Sequence, residues 1–192
     1  MGFFKNIKLD ANAKMLRDSF GAIRSEYYSC IFANVQSATG VPLPPSRRVL
    51  AGDADLCLRR LQCVIALIFI SEKGYVSNGR EMEVFSEALI RHCFGEKNRD
   101  NATQYLLKHK SDGIPTLAAE VSLPLARYVL GEDTEPLQVF LAMKATSLTL
   151  SALPSTTKCA IASEFGDKKT AHEMALEEGA IASYVESGSS EK

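Results

Sequence analysis

The most continuous apolar stretch of the chain runs from Leu61 to Ile70, with Gln62 as its only polar break. A helix without a polar face belongs in the middle of a bundle. The stretch is too short to cross a bilayer, which takes about 20 apolar residues. Its β-branched residues leave a buried strand as the alternative. Helix is favoured, because the apolar pattern continues backward through Leu56 and Leu58.

An amphipathic segment follows this stretch after a turn. Gly74 permits the sharp turn, and Gly95 is expected to end the second segment in a left-handed conformation. Glu87 and Arg91 stand in the favoured order for an ion pair on its polar face. Its apolar positions share one face of a helix: Met82, Phe85, Leu89, Ile90, Cys93 and Phe94. The two segments are therefore predicted to form a helical hairpin.

The N-terminal part, from Asp10 to about Thr39, is predicted to be one long helix. Six of its positions follow the alternating four and three spacing of a coiled-coil seam: Leu16, Phe20, Ile23, Tyr27, Cys30 and Asn34. Such a helix lies along a bundle or pairs with its own copy in a homodimer. We define Leu16, Phe20, Ile23 and Tyr27 as the assembly seam for that homodimer.

Proline and glycine place the remaining boundaries. The proline-rich segment 40–45 stops the first helix, because proline removes a donor and disfavours helix before itself. The predicted organisation is an N-terminal helix with linker (1–45), an all-α domain (46–186) and a polar tail (187–192). The later helices are expected at 101–110, 115–130 (kinked or divided at Pro124), 137–150, 156–165 and from Asp167, which caps the last one.

Two stretches of the chain show the same order of helices and turns, which indicates an internal repeat. An apolar helix, a turn and a helix ending in Phe94-Gly95 are matched by an apolar helix from Leu137, a turn and a helix ending in Phe165-Gly166. One apolar side chain in each turn, Val76 or Leu153, is expected to plug its hairpin. The predicted fold class is therefore all-α, a helical bundle of two repeated hairpins with a long N-terminal helix.

Composition narrows the class of protein. The chain has 192 residues, 46% of them hydrophobic and 23% charged, with a net charge of −1. These values are those of a globular domain, and they offer no global basic field for nucleic acid. Five scattered cysteines form no CxxC pair, which favours reduced, buried thiols in a cytoplasmic protein. No signal peptide or transmembrane segment is visible, and packing on the domain is favoured over membrane contact for residues 2–5.

The first hairpin resembles a known family. The run from Ala66 to Ser77 (ALIFISEKGYVS), followed by a helix rich in Glu and ending in Phe-Gly, is similar to the tellurite-resistance TerB-like fold. That fold also forms the N-terminal domain of a membrane-anchored DnaJ-like co-chaperone, and its hairpin typically occurs twice. The resemblance covers about 47–185. It implies an all-α fold and a link to stress response.

The chain departs from the family where the family is thought to hold a metal. The hairpin aspartate falls on Lys73, the glutamate that starts the next helix falls on Arg80, and the second-copy glutamate falls on Lys158. A hard cation needs several oxygen ligands, and these basic groups would repel it. We therefore predict no metal and no cofactor. Without a J domain, a co-chaperone role is not expected either.

No catalytic motif emerges from the titratable residues. The three histidines are His92, His109 and His172. His92 neighbours Cys93, but adjacent helical residues point about 100° apart, so they cannot form a nucleophile–base pair locally. A hydrolase or transferase would need His92 or His172 beside a carboxylate in a cleft. We predict that the protein is not an enzyme.

The function predicted from the sequence is a non-enzymatic helical interaction or scaffold module with a protein partner. Its expected contact surface gathers near the hairpin turn, where the family's polar site would lie: Arg47, Arg48, Lys73, Tyr75 and Arg80. Arg47, Arg48, Arg59 and Arg60 could also bind a phosphate, although a solvated face is favoured. The alternative function is a small-molecule or lipid carrier, with a cavity between the apolar helices 61–70 and 137–150.

Overall fold

The computed structural model describes residues 2–77, 79–109, 114–131 and 133–189, with side chains from 6 to 181 within those ranges. Every regular element in this part of the chain is a helix, which confirms the all-α class. The α-helices are α1 (Gly2–Thr39), α2 (Gly52–Lys73), α3 (Gly79–Phe94), α4 (Arg99–His109), α5 (Ile114–Leu130), α6 (Pro136–Leu150), α7 (Leu153–Glu164) and α8 (Lys168–Ser189). Short 3₁₀ helices span Pro45–Arg48 and Glu96–Asn98.

The N-terminal helix α1 lies at the centre of the bundle. It packs on α3, α6 and α7, and its apolar side chains join those of the later helices in one core. Of the assembly seam, Leu16 and Phe20 are fully buried, Tyr27 is 8% exposed and Ile23 is half-buried. The stripe is therefore used within the chain, and segment 40–45 connects two parts of the same core. No surface of Leu16 or Phe20 is left for a second copy to contact.

The first predicted hairpin is present as α2 and α3. The run 61–70 is helical, not a strand, and most of its side chains are buried. Gly74 ends α2 with φ +66° and ψ 26°, and the N–H groups of Gly74 and Tyr75 donate to the carbonyls of Ser71 and Ile70. This is the Schellman arrangement, in which a left-handed glycine lets the last carbonyls find partners.

The C-terminus of α3 differs from the expected left-handed cap. Gly95 does have a positive φ of +71°, but its ψ of 167° is extended. Its N–H still donates to the carbonyl of Arg91 at 2.9 Å, which closes the last turn of α3. The chain therefore leaves α3 in an extended direction and enters the 3₁₀ helix at Glu96.

The second predicted hairpin is present as α6 and α7. Val76 and Leu153, the side chains expected to plug the two turns, are 8% and 0% exposed. The turn between α6 and α7 is shorter than predicted, because α7 begins at Leu153 and takes Pro154 into its first turn. Proline suits that position, where the missing N–H would have no partner inside the helix.

Of the two outcomes predicted for Pro124, a kink or a division into two short helices, the division is wrong. Helix α5 is one helix across Pro124, because this residue is on the exposed side of α5, where water can satisfy the carbonyl that loses its partner. Helix α8 continues to Ser189, so three residues of the predicted polar tail are helical. Residues 190–192 lie outside the described part of the chain, as do the side chains of residues 2–5.

Within the described residues, no helix is long and apolar enough to span a membrane. The apolar side chains of α2 and of one face of α6 contribute to the core instead. Helix α2 packs on α5 and α7, whereas α6 packs mainly on α1 and α5. The two apolar helices of the repeat therefore serve different parts of the same core.

Candidate functional site

The arginines at the start of the second unit do not form one basic patch. The guanidinium of Arg47 lies 4.8 Å from the centre of the Tyr128 ring, and that of Arg48 lies 5.8 Å from Phe32. Arg60 stands 4.7 Å from the ring centre of Tyr105. These cation–π contacts point the groups at different rings on different helices. A shared phosphate site formed by these arginines is therefore not present.

The expected contact surface is divided between the two ends of α2. Arg47 and Arg48 precede α2, whereas Lys73, Tyr75 and Arg80 follow or flank its C-terminus. Helix α2 has 22 residues, and a rise of 1.5 Å per residue separates its ends by about 30 Å. The five residues therefore do not meet, because a straight helix keeps the two groups apart. Only the second group lies at the hairpin turn.

At that turn, three side chains from two hairpins meet, and we call them the turn junction: Tyr75, Phe165 and Asp167. The rings of Tyr75 and Phe165 stack with centres 5.0 Å apart and an interplanar angle of 11°. The Tyr75 hydroxyl donates to Oδ2 of Asp167 at 2.9 Å. Burial and this hydrogen bond raise the pKa of Tyr75 to about 12. The turn junction therefore fixes the two hairpins to each other.

Asp167 also caps the N-terminus of helix α8. Its Oδ1 accepts the backbone N–H of Thr170 at 3.0 Å, which caps α8 as the sequence predicts. The residue also follows Gly166, whose φ of +77° and bond to Ser163 repeat the Schellman arrangement seen at Gly74. The bonds from Thr170, then the one from Tyr75, hold the pKa of Asp167 below its ordinary value. A carboxylate held in this way is a fixed structural acceptor.

A cleft of about 280 Å³ opens beside the turn junction and is lined by Lys8, Asn12, Tyr75, Glu81, Glu164 and their neighbours. Glu164 is engaged by the hydroxyl of Ser19 at 3.0 Å. Lys73 and Lys158, at the positions of the family's acidic residues, stand 5.8 and 5.7 Å from the ring centre of Phe69. Among the described residues, no three His, Cys, Asp or Glu side chains gather where they could hold a metal ion.

A buried ion network connects α1 to α2, and we call it the Arg24 network. The Arg24 side chain is 8% exposed. It donates from Nε to Asp55 at 2.9 Å and from a terminal nitrogen to Gln62 at 3.1 Å. Arg59 holds the other oxygen of Asp55 at 2.6 Å and the carbonyl of Cys93 at 2.5 Å. The sequence carries a signal for this network: Arg24 lies four residues after Phe20, on the buried face of α1.

The outer face of α6 is the largest feature that the sequence analysis missed. Leu137, Phe140 and Leu148 are 66%, 47% and 51% exposed, and Leu141 between them is half-buried. They share about a third of the helix circumference with Lys144, whose Nζ lies 4.9 Å from the ring centre of Phe140. The opposite face supplies Ala142, Thr146 and Leu150 to the core. Helix α6 is therefore apolar on both faces although only one is covered.

An enzyme of the kind considered above would need His92 or His172 beside a carboxylate in a cleft. His92 lies beside a carboxylate but not in a described cleft. The Nε2 of His92 lies 3.0 Å from Oδ1 of Asp10, which also pairs with Arg91. Burial alone would raise the pKa of Asp10, but the hydrogen bond from His92 and the charges of His92 and Arg91 lower it. The Asp10 side chain is 44% exposed, and neither residue of the pair lines either of the two best-defined clefts. The pair serves as a contact between α1 and α3.

No family model, curated protein or solved structure matches the chain. The resemblance to the TerB-like fold therefore stays a prediction drawn from the hairpin residues. What the chain does has to be argued from its own surfaces. Of those, the outer face of α6 gathers three large exposed apolar side chains on one helix.

Proposed function

We propose that the protein is a non-enzymatic helical interaction module that binds an amphipathic helix of a partner protein along the outer face of α6. The observation that carries the proposal is the exposure of Leu137, Phe140 and Leu148 on one side of a helix whose other side is core. Exposed apolar surface of this kind marks protein interaction sites. From Leu137 to Leu148 the face is about 16 Å long, the length of three helical turns.

The charge within the face favours a partner that carries a carboxylate. Lys144 is the only ionised group in the face, between Phe140 and Leu148. A partner helix with apolar residues three and four positions apart would cover the leucines. A Glu or Asp placed opposite Lys144 would pair with it, and the surrounding apolar side chains would shield that pair from water.

A second copy of the chain fits this face less well. In a two-fold pairing of α6 with its copy, Leu137 would oppose Leu148, and the axis would pass between residues 142 and 143. The two Lys144 side chains would then lie within about 10 Å of each other. Like charges at that distance repel each other in a partly dry interface. A second copy bound through α6 is therefore the less favoured occupant of this face, and it is a different dimer from the one predicted through the N-terminal helix.

The geometry gives less support to the alternative function, a small-molecule or lipid carrier. A carrier needs a cavity between the two apolar helices, yet neither of the two best-defined clefts is lined by residues from both 61–70 and 137–150. Helices α2 and α6 also pack on different neighbours. The five free cysteines support a reducing, cytoplasmic location for the interaction module.

The test uses a designed amphipathic peptide about four turns long, with leucines at the spacing of the α6 face and a glutamate positioned opposite Lys144. Fluorescence anisotropy should show binding that Phe140→Glu weakens at least tenfold. Leu176→Glu is the matched control, because Leu176 is 63% exposed on α8 and lies outside the face. A peptide with lysine in place of the glutamate should bind poorly to the natural chain and well to Lys144→Glu.

Two outcomes would count against the proposal. Peptide binding that Phe140→Glu leaves unchanged would remove the α6 face as the site. A dimer of the full chain that Phe140→Glu converts to a monomer would make a second copy the occupant. Sedimentation equilibrium on both variants distinguishes these results, because it reports the mass of the assembly without any label.

A further inference from the structure

The cleft beside the turn junction is built by four parts of the chain, and we call it the junction cleft. Helix α1 contributes Lys8 and Asn12, and the turn after α2 contributes residues 75–77. Glu81 of α3 and Glu164 at the end of α7 complete its polar lining. Its volume is about 280 Å³, the space of about nine liquid water molecules. A molecule of the size of a free amino acid fits into it.

Two hydrogen-bond donors stand next to each other on α1. Lys8 and Asn12 are four positions apart, so their side chains are neighbours on one face of the helix. Among the described residues, no carboxylate lies within ion-pair distance of the Lys8 ammonium. An ammonium and an amide N–H₂ in this arrangement can donate to the same carboxylate of a ligand.

The acceptors of the junction cleft come from α7 and α3. The hydroxyl of Ser19 donates to Oε1 of Glu164 at 3.0 Å, whereas Oε2 accepts no bond from any described residue. Glu81 adds a second carboxylate to the lining, and both glutamates are half-buried. Half-buried carboxylates attract an ammonium group more strongly than fully solvated ones, because less water screens the charges. The cleft thus offers acceptors for a cation as well as donors for an anion.

The rest of the lining is apolar. Leu9 and Val76 are 7% and 8% exposed, and the half-buried ring of Phe165 is fixed by its stacking on Tyr75. The core sets the positions of these side chains, so an apolar group of a ligand meets them without a change of fold. Covering them with such a group removes apolar surface from water.

We propose that the junction cleft binds a free α-amino acid with an aliphatic side chain, of about the size of leucine. Its carboxylate accepts from Lys8 and Asn12, and its ammonium group donates to Glu164. Its side chain packs on Leu9 and Val76. A simple amine or a simple carboxylic acid leaves one set of these polar partners unused. The cleft includes no residue of α6, so this proposal and the binding of a helix to the outer face of α6 stand or fall independently.

The test titrates the full chain with L-leucine by isothermal calorimetry and follows the amide NMR signals of residues 75–77. We expect saturable binding with a Kd of about 1 mM or lower, with shifts of these signals. Isopentylamine is leucine without its carboxylate, and isocaproate is leucine without its ammonium group. Each should bind at least tenfold more weakly than leucine, because each leaves one set of polar partners without a ligand group.

Two variants assign the polar contacts. Lys8→Gln removes the cation, and Glu164→Gln removes the negative charge but keeps an oxygen that accepts from Ser19. Each should weaken leucine binding at least tenfold, and Lys8→Gln should leave the weak binding of isopentylamine unchanged. Lys14→Gln is the matched control, because Lys14 is exposed on α1 and lies outside the cleft. It should bind leucine as the natural chain does.

Three outcomes would overturn the proposal, and the first two need no variant. Leucine at about 10 mM that gives neither heat nor shifts at residues 75–77 would show that the cleft holds only water. Isopentylamine that binds as tightly as leucine would show a site for cations in which Lys8 has no part. Leucine binding that Lys8→Gln and Glu164→Gln leave unchanged would place the ligand elsewhere on the chain.

Discussion

The hydroxyl of Tyr75 donates a hydrogen bond of 2.9 Å to the carboxylate of Asp167, across 92 positions of the chain. Each residue is the first after the glycine that ends a helix, Gly74 for Tyr75 and Gly166 for Asp167. The bond thus joins the turn of the first hairpin, between α2 and α3, to the connection between α7 and α8. The same carboxylate caps the N-terminus of α8. Asp167 therefore connects the C-terminus of α2, the C-terminus of α7 and the N-terminus of α8.

Tyr75 should make the stability of the protein depend on alkaline pH. Its pKa is raised to about 12 in the folded chain and is about 10 in the unfolded chain. The stability that it contributes is therefore complete below pH 10 and is lost as the pH rises toward 12. Urea unfolding should show a difference between the natural chain and Tyr75→Phe at pH 8 that disappears near pH 12.

The control for this prediction is Tyr128→Phe, which removes the hydroxyl that donates to the carbonyl of Val49. Its effect on stability at pH 8 gives the cost of losing a tyrosine hydroxyl bond elsewhere in the fold. A tyrosinate absorbance titration should also lose a component with a midpoint near 12 in Tyr75→Phe. A component with an ordinary midpoint near 10 would contradict the role of Asp167.

Arg24→Gln should be strongly destabilising. It removes the buried donor to Gln62 and one of the two arginines that hold Asp55, and leaving a buried polar group without its partner costs about 1–3 kcal/mol. Arg91→Gln is the matched change in an exposed pair, because the Arg91 and Asp10 side chains are 48% and 44% exposed. That substitution should cost about 1 kcal/mol or less. Equal shifts of the urea midpoint in the two variants would show that the Arg24 network adds nothing.

Phe20→Ala should lower the stability of the protein without changing its mass in solution. Phe20 is fully buried among the helices of its own chain, and such a truncation costs about 3–5 kcal/mol. Leu137→Ala, at a position that is 66% exposed, should cost less than about 0.5 kcal/mol. Thermal unfolding and light scattering together separate a core role of the assembly seam from an interface role. A dimer that Phe20→Ala converts to a folded monomer would restore the seam as an interface.

Pro124→Ala should stabilise the protein. The residue is inside α5 and exposed, and a helix interior disfavours proline by about 3 kcal/mol relative to alanine. Stabilising substitutions of this kind commonly give about 0.5–2 kcal/mol, so we expect a gain of about 1–2 kcal/mol. The free energy of unfolding in urea measures it. A loss of stability would mean that a bend at Pro124 is needed for α5 to reach α6.

The sequence predicted features that depend on local spacing. The helix 61–70 followed from an apolar pattern that continued backward, and the cap at Asp167 followed from its place before the last helix. The burial of Val76 and Leu153 in the two hairpin turns was predicted from the internal repeat. Each of these rests on residues close together along the chain, where periodicity and capping carry the information.

Features that depend on distant packing were not predictable from one sequence. The spacing of Leu16 and Phe20 identifies a face that must be buried, but it is the same whether a second copy or the chain itself covers that face. Helix α6 is apolar all round, and composition does not say which side meets solvent. The residues of the expected contact surface lie in two groups because Arg48 precedes α2 and Lys73 ends it. The bond from Tyr75 to Asp167 spans too many residues for any local pattern to reveal it.

The central position of α1 has a consequence for the order in which the bundle is assembled during synthesis. Its Ser19 and Tyr27 bond to Glu164 and Thr156, which lie 145 and 129 residues later. Helix α1 is translated before the other described helices, so the part of its surface that packs on α7 must wait until residues 153–164 have been translated. Contacts of such long range slow folding and expose apolar surface to aggregation. A nascent chain of this protein should therefore be a better substrate for chaperones than the finished fold.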